Sequence, residues 1–402
     1  MENELTVVVG DEEELKATGL LKLIEKEVDQ AYINQLQSIP VNQEMISQIG
    51  DDFRIIYTPL HGTGNIPVRK ALDAIGFKQV QVVKEQEMPD SNFSTVTSPN
   101  PEEHDAFELA IQYGERYEAD ILLGTDPDTD RVGVAVRNLQ KNFEVLTGNQ
   151  IGAILLHYLI TEKKKKNALP VNATVLKTIV TSEIGRDIAA AHGLETIDTL
   201  TGFKFIGEKI KEFEETKEKS FLFGYEESYG YLIGDFVRDK DAVQACLLIV
   251  EVAAYYKILG MTLYEGLLSV YEQYGYYQEA LESITLKGKD GVQQIQSIMS
   301  NFRGNPPENL AGNRIICIED YKAGTRSAAE DGVIESMDLP KSNVLKYKLE
   351  DGSWFCLRPS GTEPKIKFYF GVKAENLIAG QEKLKELKKA VMERVERKVL
   401  EF

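Results

Sequence analysis

The stretch Ala119-Asp120-Ile121-Leu122-Leu123-Gly124 reads as a buried strand, and it runs into Asp126-Pro127-Asp128-Thr129-Asp130-Arg131. That junction constrains the fold more than any other feature of the chain. It sets three carboxylates, at alternate positions, on the loop at the C-terminal end of a strand, where open α/β sheets bind their ligands. Oxygen ligands this dense suit a hard divalent cation such as Mg²⁺. Arg131 beside them suits an anion, phosphate above all. An EF-hand loop would need glycine at its sixth position and glutamate at its twelfth. Counted from Asp126, those positions hold Arg131 and Arg137, so the EF-hand is excluded. A metal-free, Asx-rich acidic turn stays open as the plainer reading.

Strands and helices alternate around this loop. Phe53–Tyr57 reads as a strand running into the glycine-bearing loop Thr58-Pro59-Leu60-His61-Gly62-Thr63-Gly64, then a helix over Ile66–Ile75. That order presents backbone N–H groups at a helix N-terminus, which suits an anion or a plain connection. His61 is read as a hydrogen-bonding loop residue. A strand over Val80–Val83, a loop over Ser94–Glu103, a helix over His104–Tyr113 and a strand over Val132–Val136 complete residues 51–147. The βαβ alternation predicts a mixed, largely parallel sheet.

A second α/β unit is read over 148–275, with helices at 150–160, Ser182–Ala191 (closed by Gly193) and Asp241–Ile258. Its strands are Ala173–Val180 and Ser220–Tyr225, the latter ending in Glu226-Glu227-Ser228-Tyr229-Gly230. Thr199–Lys204 reads as a turn opening another helix, and the Lys163–Lys166 run as a solvated loop. Residues 276–402 mix strands (Ala280–Leu286, Arg314–Glu319, Val344–Leu349, Ser353–Leu357, Lys365–Gly371) with helices at 291–301 and 375–398, a separate α+β domain. Residues 1–50 offer a strand at Leu5–Val9 and a helical stretch from Glu12 to Leu36, too little to bury a core alone.

Composition excludes several partners. At 402 residues the chain has room for two to four domains of roughly 100–200 residues each. A net charge of −18 argues against nucleic acid, whose backbone wants a basic surface. Small phosphorylated ligands need only a local basic pocket. Cys246, Cys317 and Cys356 are widely spaced in apolar settings and read as core residues in a reducing compartment. No signal-peptide pattern and no apolar run of about 18 residues occurs, so a cytoplasmic protein without a membrane partner is expected.

Three loops, each following a strand, carry the chemistry. The Asp loop suits a cation. Glu226 and Ser228 offer acceptors suited to sugar hydroxyls. Leu357-Arg358-Pro359-Ser360-Gly361-Thr362-Glu363-Pro364-Lys365 joins a guanidinium, two hydroxyls, a glycine-exposed backbone and a lysine, which suits a phosphate monoester. Its plainer reading is a Pro/Gly turn with incidental charge.

DPDTDR, GYEES and RPSGTEPK, in this order and spacing, closely resemble the α-D-phosphohexomutases, and within them the bacterial phosphoglucomutase/phosphomannomutase group. TPLHGTG, Pro99–Glu103 and Thr201–Lys204 extend the likeness, which covers the chain from about residue 51. The resemblance implies two consecutive α/β units (51–147 and 148–275) and a C-terminal α+β, TATA-box-binding-protein-like domain (276–402) that caps a cleft. Residues 1–50 are then a remnant of a first domain and a connector. It implies interconversion of glucose 1-phosphate and glucose 6-phosphate, with mannose phosphates as further candidates, through an enzyme phosphoserine and glucose 1,6-bisphosphate. Phosphopentomutase, phosphoglucosamine mutase and a non-catalytic sugar-phosphate-binding protein are the rival readings. Carried over residue by residue, Asp126, Asp128 and Asp130 bind Mg²⁺ and Arg131 steadies the phosphoryl group. Glu226 and Ser228 grip sugar hydroxyls, and Thr201, Gly202 and Lys204 help read the sugar. Arg358, Ser360, Gly361, Thr362 and Lys365 clamp the phosphate at the non-reacting end. Lys177 is read as a supporting basic residue of the catalytic centre.

One departure is large. The family's serine loop, Thr-Ala-Ser-His-Asn-Pro, does not occur in these residues. Thr97-Ser98-Pro99-Asn100-Pro101 lacks the histidine after serine and aligns better with a second-domain segment. The expectation is a mutase lacking most of its first domain, able to bind Mg²⁺ and sugar phosphate but inactive alone.

Overall fold

A computed structural model describes residues 10–24, 26–286, 290–328, 332–361 and 363–400. The strand expected at Leu5–Val9 lies outside them, as does Thr362. Helices α1 (Glu12–Ala17), α2 (Lys26–Leu36) and α3 (Gln43–Ile49) open the described chain. The single helical stretch expected over Glu12–Leu36 is thus broken, at Thr18 and the left-handed Gly19 (φ 75°). This segment is tied down by side chains from far along the sequence. Tyr32 Oη donates to Asp241 at 2.7 Å, and the N–H groups of Val41 and Asn42 donate to the buried Glu251.

The first sheet holds β1 (Arg54–Thr58), β2 (Gln79–Val82), β3 (Ile121–Thr125), β4 (Val132–Arg137) and β5 (Phe143–Val145), in the order β2-β1-β3-β4-β5. β2, β1 and β3 run parallel; β4 and β5 are antiparallel additions. α4 (Asn65–Ile75) and α5 (Glu108–Arg116) cross between the parallel strands. β3 is buried at every position, as its apolar run requires.

The second unit begins with α6 (Gly148–Lys165), opened by a capping box between Thr147 and Gln150. Lys163–Lys165 form its last turn rather than a loop, where cations complement the helix dipole. Strands β6 (Ala173–Thr178), β7 (Glu195–Thr199), β8 (Ser220–Glu226) and β9 (Gly230–Leu232) lie in the order β7-β6-β8-β9, parallel except for β9. α7 (Ile184–Ala191) and α8 (Phe203–Thr216) connect them, followed by α9 (Ala242–Ile258) and α10 (Leu263–Tyr274). α9 is buried almost all round, because both α/β units pack on it and share one core. Each fully buried Leu, Ile or Phe there contributes about 1.5–3 kcal/mol. Among the described residues no single helix is long and apolar enough to cross a membrane; the pair α9–α10, bent by 88°, packs in this core.

The third sheet is antiparallel: β10 (Tyr276–Thr285), β11 (Asn309–Leu310), β12 (Asn313–Asp320), β13 (Thr325–Ala328), β14 (Ile334–Ser336), β15 (Leu345–Leu349), β16 (Trp354–Pro359) and β17 (Lys365–Ala374). Its order is β10-β17-β16-β15-β12-β13-β14, with β11 against β12. α11 (Gly291–Gly304) and α12 (Leu377–Leu400) cover one face over Phe355, Leu357, Phe368 and Phe370. Alternation along the strands turns Trp354, Cys356 and Tyr369 the other way, onto Ile179, Val180 and Leu200 of the second unit. The cleft lies along that junction.

Candidate active site

The Asp loop is held from three sides. Gly62 lies so close that an added Cβ would sit 2.4 Å from Pro127 Cα, and Thr63 N–H donates to the Pro127 carbonyl at 2.9 Å. The glycine loop therefore buttresses the Asp loop. His61 is spent on Met88 O and Thr95 Oγ1, as expected of a hydrogen-bonding loop residue. Ala242 N–H, in the first turn of α9, donates to Thr129 O at 3.2 Å, and Val132 N–H donates to Tyr229 O at 3.1 Å. Thr129 takes a left-handed conformation (φ 64°), which bends the loop back on itself.

That bend brings one carboxylate oxygen each from Asp126, Asp128 and Asp130 within 4.8 Å of one another. Asp126 is buried, and its Oδ1 accepts from the N–H groups of Asp130 (3.0 Å) and Arg131 (2.9 Å). Burial pushes its carboxyl up to about 7, with the charges of Asp130 and Asp128 adding to the shift. A divalent cation would offset that repulsion, so the donor set fits Mg²⁺.

Arg131 turns from this loop into a cavity of about 510 Å³ between the second and third sheets. Its Nη1 meets Glu102 Oε1 at 3.1 Å, while its Nε stays in ion-pair range of Asp126 Oδ2 (3.8 Å) and Asp130 Oδ1 (3.7 Å). Lys240, just before α9, reaches Asp130 Oδ2 at 2.7 Å and lines the same cavity. Across from them stand Arg358 on β16 and Lys367 on β17, which face each other in the strand register.

Carboxyl groups line the space between. Glu226 ends β8 and accepts from Gly202 N–H at 2.8 Å; burial, then the charge of Glu227, pushes it up to about 6. Gly202 adopts φ 119°, a conformation glycine takes without strain, and this aims its N–H at Glu226. Ser228 and Thr201 line the wall beside them, Thr201 Oγ1 without a partner among the described residues. Glu227 is half-buried, taking the hydroxyls of Thr178 and Thr181 at 3.2 and 3.3 Å.

Not every predicted residue joins this cavity. Ser360 and Gly361 line a neighbouring cavity of about 270 Å³ beside α11. Lys365 starts β17 opposite Thr285. Lys204 is exposed and stacks over Phe205. Lys177, read as a supporting basic residue of the catalytic centre, is not among the residues lining this cavity. It is wholly buried, its ammonium held by Glu183 (3.2 Å), Asp198 (3.1 Å) and the carbonyls of Thr178 and Thr181. That is a structural ion network. Conversely, Glu102, Lys240, Lys367 and Glu279 line the cavity and were not singled out from the sequence.

Comparison with known proteins agrees with this layout. Residues 30–140 match the phosphoglucomutase/phosphomannomutase α/β/α domain II, residues 147–274 its domain III and residues 286–393 its C-terminal domain. A phosphoglucomutase of Staphylococcus haemolyticus (strain JCSC1435) is 38% identical over 357 residues, which is 88% of this chain and 62% of that protein. The open form of Paramecium parafusin, a phosphoglucomutase, shares the fold with a TM-score of 0.67 at 18% identity, over 91% of this chain and 62% of that one. A phosphoglucomutase/phosphomannomutase family protein from Burkholderia thailandensis gives 0.59 at 14% identity, over 92% and 65%. The chain thus spans about 62% of the length of the phosphoglucomutase it matches.

Proposed function

The chain belongs to the phosphoglucomutase/phosphomannomutase family, and on that premise we propose that it forms the cation- and substrate-binding part of a phosphohexomutase. The substrates are glucose 1-phosphate and glucose 6-phosphate, with mannose phosphates as a second pair, and the intermediate is glucose 1,6-bisphosphate. One observation carries this reading. Two cation pairs, Arg131 with Lys240 and Arg358 with Lys367, line one cavity with hydrogen-bonding carboxyls between them. A hexose bisphosphate has that pattern: charge at each end and hydroxyls in the middle.

Asp126, Asp128 and Asp130 would hold Mg²⁺, which when bound offsets negative charge on the phosphoryl group in transfer. Arg131 and Lys240 bind the reacting phosphate. Glu226, oriented by Gly202, and Ser228 take the sugar hydroxyls, with Thr201 beside them and Lys204 at the rim. Arg358 and Lys367 bind the remote phosphate, and Ser360, Gly361, Thr362 and Lys365 are assigned to it as parts of the same loop. Because both poles are cationic, the sugar fits in either direction, and the two half-reactions require that. The phosphoryl carrier is the family's phosphoserine, whose loop does not occur in these 402 residues. The chain alone is therefore expected to bind without turning over.

Calorimetry on residues 1–402 with Mg²⁺ tests the reading. Glucose 1-phosphate and glucose 6-phosphate are expected to bind, and unphosphorylated glucose not. Equal binding of all three overturns it. A panel of pentose, glucosamine and mannose phosphates separates the preferred sugar. In a coupled assay, robust formation of glucose 6-phosphate by this chain alone would place the nucleophile within it.

A further inference from the structure

The segment Pro99-Asn100-Pro101-Glu102-Glu103 has no part in the cation, sugar or remote-phosphate sites, yet it enters the main cavity through Glu102. Its two prolines fix their own φ angles. Asn100 closes an Asx turn, its Oδ1 accepting from Glu102 N–H at 3.1 Å and its carbonyl from Glu103 N–H at 3.0 Å. Pro101 is buried against β4, where a Cβ added to Gly133 would sit 2.7 Å from Pro101 O. A short, braced loop thus delivers one carboxylate to the cavity, while the neighbouring Glu103 stays exposed.

We propose that Glu102 is a positioning residue, holding the Arg131 guanidinium in the cavity where the reacting phosphate binds. This rests on the hexose-phosphate reading of the cavity. Arg131 is gripped from two sides. Its Nε edge lies 3.8 Å from Asp126 Oδ2 and 3.7 Å from Asp130 Oδ1, and its Nη1 donates to Glu102 Oε1 at 3.1 Å. Among the described residues Glu102 alone hydrogen-bonds this guanidinium. The charge-assisted bond offsets the pull of the Asp loop and the rotamer freedom of a long side chain. Both side chains are partly exposed, 36% for Arg131 and 27% for Glu102, so a ligand in the cavity can reach the pair. A guanidinium has five N–H donors and Glu102 takes one, which leaves others for the phosphate. The same carboxylate also repels phosphate. That sets the rival role, a counter-ion that masks Arg131 until the substrate displaces it.

Calorimetry on residues 1–402 with Mg²⁺ and glucose 1,6-bisphosphate, which engages both cationic poles, separates the two roles. The variants are Glu102→Ala, Glu102→Gln and, at the exposed neighbour, Glu103→Ala, with thermal melts confirming folding. Affinity is expected to fall about tenfold in Glu102→Ala, the scale of one hydrogen bond to a charged group. Glu102→Gln should recover most of that loss, because its amide oxygen still accepts from Nη1, and Glu103→Ala should bind as the parent does. In an Arg131→Ala background, Glu102→Ala should have no further effect, since the positioned group is gone. The proposal is overturned if Glu102→Ala binds as the parent does, or if it binds more tightly, as masking requires. It is equally overturned if the loss persists in full without Arg131, or if Glu103→Ala matches it. Failure of the hexose-phosphate reading shows separately, in the parent chain, as equal binding of glucose 1-phosphate and glucose, and would take this role with it.

Discussion

Asp126 accepts two backbone hydrogen bonds in a buried setting, so its ionisation is opposed by desolvation and by Asp130 and Asp128. Its folded pKa of about 7 lies above the ordinary 3.8. Without metal, the folded state then binds the extra proton between those values. Stability from this group is fullest below about pH 4 and is lost as pH rises through 7. Asp126→Asn should therefore raise the melting temperature of the metal-free chain at pH 8 more than at pH 5, and Mg²⁺ should stabilise the parent but not the variant. Asp128→Asn should weaken Mg²⁺ binding about tenfold or more, by removing one charged ligand; equal affinity in titration would withdraw the metal assignment. These carboxylates were legible in the sequence because one hexapeptide carries them all. Glu102, Lys240, Lys367 and Glu279 were not, because each comes from a different element and only the fold brings them together. Lys177, which only the family resemblance brought in as a supporting basic residue, is paired with Glu183 and Asp198 within its own unit.

Among the elements, the loop after β1 shows what sequence spacing leaves open. Strand, glycine loop and helix were readable, but the order alone did not choose between an anion site and a connection. The structure gives Gly62 a packing role, with Pro127 too close for any side chain. Gly62→Ala should displace the Asp loop and lower Mg²⁺ affinity, at a stability cost of about 1–3 kcal/mol typical of overpacking; unchanged Mg²⁺ titration would contradict that coupling. The buried strands at the cleft were legible from apolar runs ending in turn residues. The hairpin β13–β14 was not, since its short, polar, partly exposed strands lack a period-2 pattern. Helix α10 and the short strands β5 and β7 were likewise not singled out.

The whole molecule is held in register by charge buried between its second and third sheets. Lys346 of β15 is buried, donates to Ile179 O at 2.7 Å and Glu183 Oε1 at 3.1 Å, and lies over Trp354. Burial opposes the charge on Glu183, but Lys177, Lys346 and Arg186 together hold its carboxyl well below the usual range. Lys346→Ala keeps two of those cations, so it should cost about 3 kcal/mol, the low end for breaking a buried pair. The C-terminal unit should then melt ahead of the rest in calorimetry; a single unshifted transition would refute this. This joint fixes Arg358 and Lys367 opposite Arg131 and Lys240, and the two-pole cleft depends on it. Titration of glucose 1,6-bisphosphate into residues 1–402 tests that cleft most directly. It should bind more tightly than either monophosphate, and Arg131→Ala or Arg358→Ala should each reduce it to monophosphate affinity. A bisphosphate that binds no better than glucose 1-phosphate, and that ignores both substitutions, would contradict the account.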